Sequence, residues 1–140
     1  MKAVKRWLWI VGLFYLMEGG GLSLLALLDP ARAASIWAPT APPGALDAIA
    51  VEALSFPGLF VNQSWLVLGV LMFYYFRRPE RAGVLLVVVI ALELFAWVPL
   101  DIMALASGWP VVNAAVLLSI HLAIAISGMF VLRAHRGALV

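Results

Sequence analysis

Four long apolar runs, separated by short polar or proline-rich stretches, dominate the pattern of this chain. They cover residues 7–28, 57–76, 82–107 and 110–132. Each run has about the 20 residues that a helix needs to cross a bilayer. The first run is interpreted as a retained span and not as a signal peptide, because it is too long and contains Glu18. The pattern predicts an all-α membrane protein, a four-transmembrane-helix bundle in one integral membrane domain, residues 1–140.

The stretch between the first two runs, residues 29–56, is predicted to be a loop with helix breakers at Pro30, Pro39, Pro42, Pro43 and Gly44. Its second half, residues 45–55, places apolar side chains at helical spacing with acidic residues between them. This spacing predicts a short interfacial helix in the first loop. Pro57 is then predicted to begin the second span, where its missing N–H costs nothing.

Lysine and arginine are distributed unevenly between the two ends of the predicted spans. Eight of the nine fall at one end, and only Arg32 lies at the other. The eight are Lys2, Lys5, Arg6, Arg77, Arg78, Arg81, Arg133 and Arg136. Because short loops rich in lysine and arginine stay in the cytoplasm, both termini are predicted to be cytoplasmic and residues 29–56 to face the other side. Trp7, Trp9 and Trp109 are interpreted as anchors at the membrane interface.

Composition removes several other classes of protein. Hydrophobic residues make up 66% of the chain and charged residues 11%, against about 25% charged in ordinary soluble domains. A soluble globule and a disordered chain are thereby excluded. The basic isoelectric point of about 9.4 comes from the cations that mark topology, so no nucleic-acid partner is predicted. The absence of cysteine excludes disulfides and thiol chemistry.

Three ionisable residues remain near the middle of the predicted spans. Glu18, Glu93 and His121 each lie roughly 16 Å along the helix from one end of their run, at 1.5 Å of rise per residue. Placing a charge at that depth costs at least about 2.5 kcal/mol. We therefore expect these three side chains to face one another rather than lipid, and we take them as the candidate catalytic residues.

Helical spacing adds candidate ligand-binding residues to the same faces. Tyr15 precedes Glu18 by three positions, and Trp97 follows Glu93 by four, so each pair lies on one side of its helix. Asp101 fits either a helix cap or a charge at the mouth of a pocket. The predicted ligand-binding set is Tyr15, Asn62, Trp65, Trp97, Asp101 and Asn113. We expect a cavity with aromatic walls that is wider toward the non-cytoplasmic side.

Two alternative interpretations apply to these motifs. Glu18, Glu93 and His121 could together hold zinc or iron, but no His pair four residues apart and no Glu-x-x-His spacing accompanies them. No metal and no other cofactor is therefore predicted. The glycine run at residues 19–21 is interpreted as a close-packing or bending site and not as a phosphate loop, because it follows no strand and lies inside a span.

Residues 9–21, with the sequence WIVGLFYLMEGGG, resemble the opening of the BphX-like family of small bacterial membrane proteins, which is also similar in length and four-span layout. That family has no settled activity, so the resemblance implies a multi-pass protein of the bacterial inner membrane and no mechanism. Two further similarities rest on architecture alone. The EXPERA group has intramembrane acids in a small helical bundle. The small multidrug resistance transporters carry a Glu midway along the first of four helices, although they lack a loop like residues 29–56.

Three functions remain open. The first is binding or transport of a small lipophilic or cationic molecule, or of a proton, at Glu18 and Glu93. The second is a membrane-embedded acid–base enzyme, isomerase-like, in which a Glu and His121 exchange protons with a hydrophobic substrate. The third is an accessory subunit whose polar centre only fixes helix packing. The predicted partners are membrane lipid and a small molecule, and a homo-oligomer is left open.

Overall fold

The structure is a computed structural model that describes residues 1–41 and 46–139, without the side chains of residues 48, 52, 53 and 55–57. All regular elements of this part of the chain are helical. The α-helices are α1 (Lys2–Leu28), α2 (Pro30–Trp37), α3 (Ala48–Phe76), α4 (Gly83–Leu92), α5 (Val98–Ala106) and α6 (Val111–His135). A π turn, Glu93–Trp97, joins α4 to α5, and 3₁₀ turns cover Pro79–Arg81 and Arg136–Ala138.

Four helical segments are long and apolar enough to cross a membrane. They are Lys2–Leu28, Gly58–Phe76, Gly83–Ala106 and Val111–Ala138. Each contains most of one apolar run, and most ends lie within one residue of the predicted ends, whereas the first and fourth segments extend five or six residues further, to Lys2 and Ala138. The prediction of an all-α protein with four membrane-spanning helices is confirmed to this extent.

Helix α2 lies in a stretch that was predicted to be loop. The Arg32 N–H donates to the Asp29 carboxylate at 3.0 Å, which satisfies one of the unpaired donors at the start of the helix. Pro30 occupies the first turn, where its fixed φ suits a helix and its missing N–H costs nothing. The sequence Asp29-Pro30 is therefore a helix-start signal, and the breaker interpretation of Pro30 was wrong.

The start of α3 also differs from the prediction. Residues 42–45 lie outside the described residues, and α3 runs without interruption from Ala48 to Phe76. The Ala50 N–H donates to Asp47 Oδ1 at 2.7 Å, so Asp47 caps this helix. Pro57 therefore lies inside a helix and does not begin one, which makes that prediction wrong. A separate interfacial helix over residues 45–55 is not seen, because residues 48–55 continue into the second span.

The chain forms two compact units, which we describe separately. The α4–α6 unit consists of Met1–Val11 and Met72–Val140, and the α1–α3 unit consists of Gly12–Leu71. Because the division falls within α1 and α3, the prediction of one integral membrane domain stays a prediction.

Two glycines bring α1 and α3 close together in the α1–α3 unit. A Cβ at Gly19 would meet the backbone nitrogen of Leu66, and a Cβ at Gly69 would lie 2.8 Å from the Leu16 side chain. Small residues at such contacts let membrane helices approach closely. The close-packing interpretation of the glycine run is confirmed at Gly19, whereas a Cβ at Gly21 would meet no described atom within 4 Å.

Small residues on α6 serve the same purpose in the α4–α6 unit. Ala114 and Ala125 are buried, and a Cβ at Gly128 would lie 2.9 Å from Ile90 and 3.0 Å from Trp7. Trp7 is itself buried, and its Nε1–H donates to Ser127 Oγ at 3.0 Å. The interpretation of Trp7 as an interface anchor is wrong, because its indole nitrogen is satisfied inside the unit.

A Schellman motif turns the chain from α5 into α6. The Trp109 N–H donates to the Ala104 carbonyl at 3.1 Å, and the Gly108 N–H donates to the Leu105 carbonyl at 3.3 Å. Gly108 has a φ of 83°, which glycine adopts without the steric cost that a Cβ would bring. The motif makes α5 and α6 antiparallel neighbours, and this arrangement positions the candidate site.

Candidate functional site

The candidate site is centred on a buried contact between α5 and α6. His121 Nδ1 lies 2.7 Å from Asp101 Oδ2. His121 is 2% exposed and Asp101 is 8% exposed. The distance is typical of a charge-assisted hydrogen bond, in which Nδ1–H donates to the carboxylate. Asp101 is therefore a buried partner of an imidazole, whereas its interpretation as a charge at the mouth of a pocket stays a prediction.

The direction of the two side chains explains how residues at unequal depth can meet. Asp101 lies about one and a half turns before the end of α5, whereas His121 lies almost three turns after the start of α6, at 3.6 residues per turn. Counted from the connecting turn, the two Cα positions differ by about 8 Å of helix rise. Helical side chains lean toward the N-terminus, so in antiparallel helices these two lean toward each other.

Trp97 lies beside the pair. Its ring centroid is 6.3 Å from that of His121, with an interplanar angle of 37°. Trp97 is half-buried, so its indole forms a wall next to the imidazole while part of it remains accessible. The site thus combines an ionisable pair with an aromatic surface.

Glu93 begins the π turn and is 0% exposed. The Val98 N–H donates to the Glu93 carbonyl, five residues earlier, which defines the wide turn. Pro99 follows directly and has no N–H to donate, so regular α-helical bonding cannot continue through this turn. Single π turns inside α-helices are rare and frequently occur at functional sites.

The π turn also changes which residues share a face. In an α-helix, residues four apart are offset by about 40° around the axis, so Glu93, Trp97 and Asp101 would diverge along the helix. In a π turn, each N–H bonds to the carbonyl five residues earlier, and the chain rotates less per residue. The π turn therefore reduces the angle between Glu93, Trp97 and Asp101 around the helix axis. The π turn and α5 both pack against α6. We use the name Asp–His site for the Asp101–His121 pair, Trp97 beside it, and Glu93 about two turns before Asp101 on the same segment.

All buried acidic and histidine side chains of the described residues belong to this site. Asn113 is exposed near the start of α6 and lies outside it. Ser119 Oγ donates to the Ala115 carbonyl at 2.7 Å, so this hydroxyl is satisfied within its own helix.

Among the described residues, no three His, Asp or Glu side chains lie close enough to hold a metal ion. The metal-site alternative therefore gains no support.

The remaining predicted site residues lie in the α1–α3 unit. They are Tyr15, Asn62 and Trp65, which are buried, and Glu18, which is half-buried. The Tyr15 ring packs against that of Phe14, with centroids 5.6 Å apart. The expected meeting of Glu18 with Glu93 and His121 joins the two units and stays a prediction.

No protein-family model matches this chain, and neither the curated proteins nor the solved structures contain a match. The resemblance to the BphX-like family therefore depends on residues 9–21 and the layout of the spans, and it stays a prediction.

Replacing either partner of the buried pair by alanine should destabilise the folded protein. We expect Asp101→Ala and His121→Ala each to lower the free energy of unfolding by about 1–2 kcal/mol, as for hydrogen bonds between membrane helices. The double variant should lose less than the sum, because the second substitution removes a partner that is already unsatisfied. Denaturant unfolding of the purified protein in detergent measures this coupling.

Glu80 provides the matched control for this cycle, since it is an exposed acid in the 3₁₀ turn Pro79–Arg81. Glu80→Ala and His121→Ala should have additive effects. Additive effects of Asp101→Ala and His121→Ala would instead show that the contact contributes nothing to stability.

Proposed function

We propose that this multi-pass membrane protein binds a small lipophilic or cationic molecule at the Asp–His site, in competition with protons. The observation that carries the proposal is the 2.7 Å contact between Asp101 and His121, buried in helices that are long and apolar enough to span a membrane. Ionisable side chains in such helices are costly, and those that persist mark ligand or proton pathways by default.

The balance of charge in the site favours a cation or a proton over an anion. The site has two carboxyl groups and one imidazole, and the sequence has no lysine or arginine between Arg81 and Arg133. With both carboxyls ionised, a protonated His121 neutralises only one of them. An additional proton or a cationic ligand supplies the missing positive charge, whereas an anion would increase the imbalance.

Trp97 favours a ligand with apolar surface. Its half-buried indole lies 6.3 Å from the imidazole ring, measured between centroids. The face of a tryptophan attracts cations and also provides a large apolar surface. A lipophilic cation would use both properties next to the carboxyl groups.

The same pair favours a membrane-embedded acid–base enzyme as the second candidate. A carboxylate at Nδ1 fixes the tautomer and orientation of an imidazole, and many acid–base enzymes hold a catalytic histidine in this way. In this alternative, His121 exchanges a proton with a hydrophobic substrate, and Asp101 positions the ring.

We further propose that both termini face the cytoplasm, because eight of the nine lysines and arginines flank that end of the spans. The chain contains no cysteine, so single cysteines can report the orientation. In intact cells, a membrane-impermeant maleimide should label Ala31→Cys and spare Ala138→Cys, and both should react after disruption. Labelling of Ala138→Cys in intact cells would contradict this orientation.

Binding of tetraphenylphosphonium, a lipophilic cation, to the purified full chain tests the proposed function. Asp101→Asn and Glu93→Gln each remove a carboxylate with little change in shape. Each should weaken binding at least about tenfold, which corresponds to one lost charge-assisted interaction. Lower pH should also weaken binding, because protons compete for the same carboxyl groups. Isothermal titration calorimetry in detergent measures both effects.

The control for this experiment is Glu80→Gln, which removes an exposed carboxylate of the α4–α6 unit and should leave the affinity unchanged. Equal affinity of the wild type, Asp101→Asn and Glu93→Gln would contradict binding at the Asp–His site. Absence of binding to the wild type would favour the accessory alternative, in which the pair only fixes helix packing.

A further inference from the structure

A shallow groove with a volume of about 320 Å³ lies between the start of α4 and the end of α6. It is separate in sequence from the Asp–His site, and the function proposed above does not use it. The groove is lined by Val84, Val87 and Val88 of α4, Leu132 of α6, and Arg136 and Leu139 after it. The residues that line the groove are apolar except for Arg136.

The walls of the groove fit a hydrocarbon chain. Val84, Val87 and Val88 are 72%, 51% and 43% exposed, and their spacing places them on one side of α4. They lie within the first two turns of a helix that belongs to a membrane-spanning segment. A bilayer supplies acyl chains to such a surface, and the valines present no polar group that would need water.

The end of the groove fits a phosphate. Arg136 follows Leu132 by one helical turn and is exposed. A guanidinium forms paired hydrogen bonds with phosphate oxygens, and its apolar stem can lie along a hydrocarbon surface. Further cations come from both flanking segments, with Arg81 just before α4 and Arg133 near the end of α6. Glu80 is the one acid in the preceding turn Pro79–Arg81, so this end is predominantly basic.

We propose that this groove binds one anionic phospholipid from the surrounding bilayer leaflet. One acyl chain lies along the valines of α4, and the phosphate contacts Arg136. The basic surroundings favour a headgroup with net negative charge over a zwitterionic one. The occupant is a bilayer lipid and not a free phosphate compound, because most of the groove surface is apolar.

Native mass spectrometry of the full chain in detergent, with added lipid, tests this proposal. Phosphatidylglycerol should bind more tightly than phosphatidylcholine of the same acyl chains. Arg136→Gln should weaken phosphatidylglycerol binding by about fivefold, the usual effect of one cation near a membrane surface. Val87→Phe fills the groove and should weaken binding of both lipids. Glycerol 1-phosphate, which has the headgroup phosphate without chains, should not displace phosphatidylglycerol.

Arg6→Gln is the matched control, because Arg6 is an exposed arginine of the α4–α6 unit that does not line the groove. It should change the affinity for phosphatidylglycerol by less than about twofold, because an exposed charge outside the groove is screened by salt. An equal loss in Arg6→Gln and Arg136→Gln would overturn the proposal, since it would show attraction by general surface charge. Equal binding of the two lipids to the wild type, or displacement by glycerol 1-phosphate, would also overturn it.

Discussion

An aspartate and a histidine buried in helices apolar enough to span a membrane each need a partner from the protein or a ligand, because lipid offers neither hydrogen bonds nor counter-charge. The 2.7 Å contact between Asp101 and His121 meets this requirement. It constrains the register of α5 against α6, since the two side chains meet only when they lean toward each other from antiparallel helices. The Schellman motif at Gly108 makes the helices antiparallel, and buried Ala114 and Ala125 let them approach.

The spans could be predicted from the sequence because hydropathy over about 20 residues is a strong signal. The Asp101–His121 pair was missed because depth was counted along the helix axis, which paired His121 with Glu93 and placed Asp101 at the outer end. Side-chain direction supplies the missing information.

The π turn could not be predicted from the sequence. Pro99 indicates that regular α-helical hydrogen bonding is interrupted, but no residue pattern shows whether a proline will produce a π turn or a simple kink. Trp7 was misinterpreted because a tryptophan near a helix end is compatible with either the membrane interface or a contact inside the protein. The hydrogen bond from Trp7 to Ser127 shows that the contact is inside the protein.

The α4–α6 unit contains two surfaces of different chemistry. The Asp–His site is buried and acidic, whereas the groove beside Arg136 is open, apolar and basic at its end. Their charges favour different ligands: a cation or proton at the first, and an anionic lipid at the second. This separation follows from the sequence, in which the cations lie outside the third and fourth apolar runs while Glu93, Asp101 and His121 lie within them.

The protonation of the His121 ring tests the central interaction most directly. The chain contains two histidines, so His135→Gln leaves His121 as the single reporter in ¹⁵N NMR of histidine-labelled protein. We predict that Nδ1 carries a proton and gives the shift of a strong hydrogen bond, and that Asp101→Asn abolishes this shift. A His121 with an unprotonated Nδ1, or with a Nδ1 resonance that Asp101→Asn does not change, would contradict the buried pair.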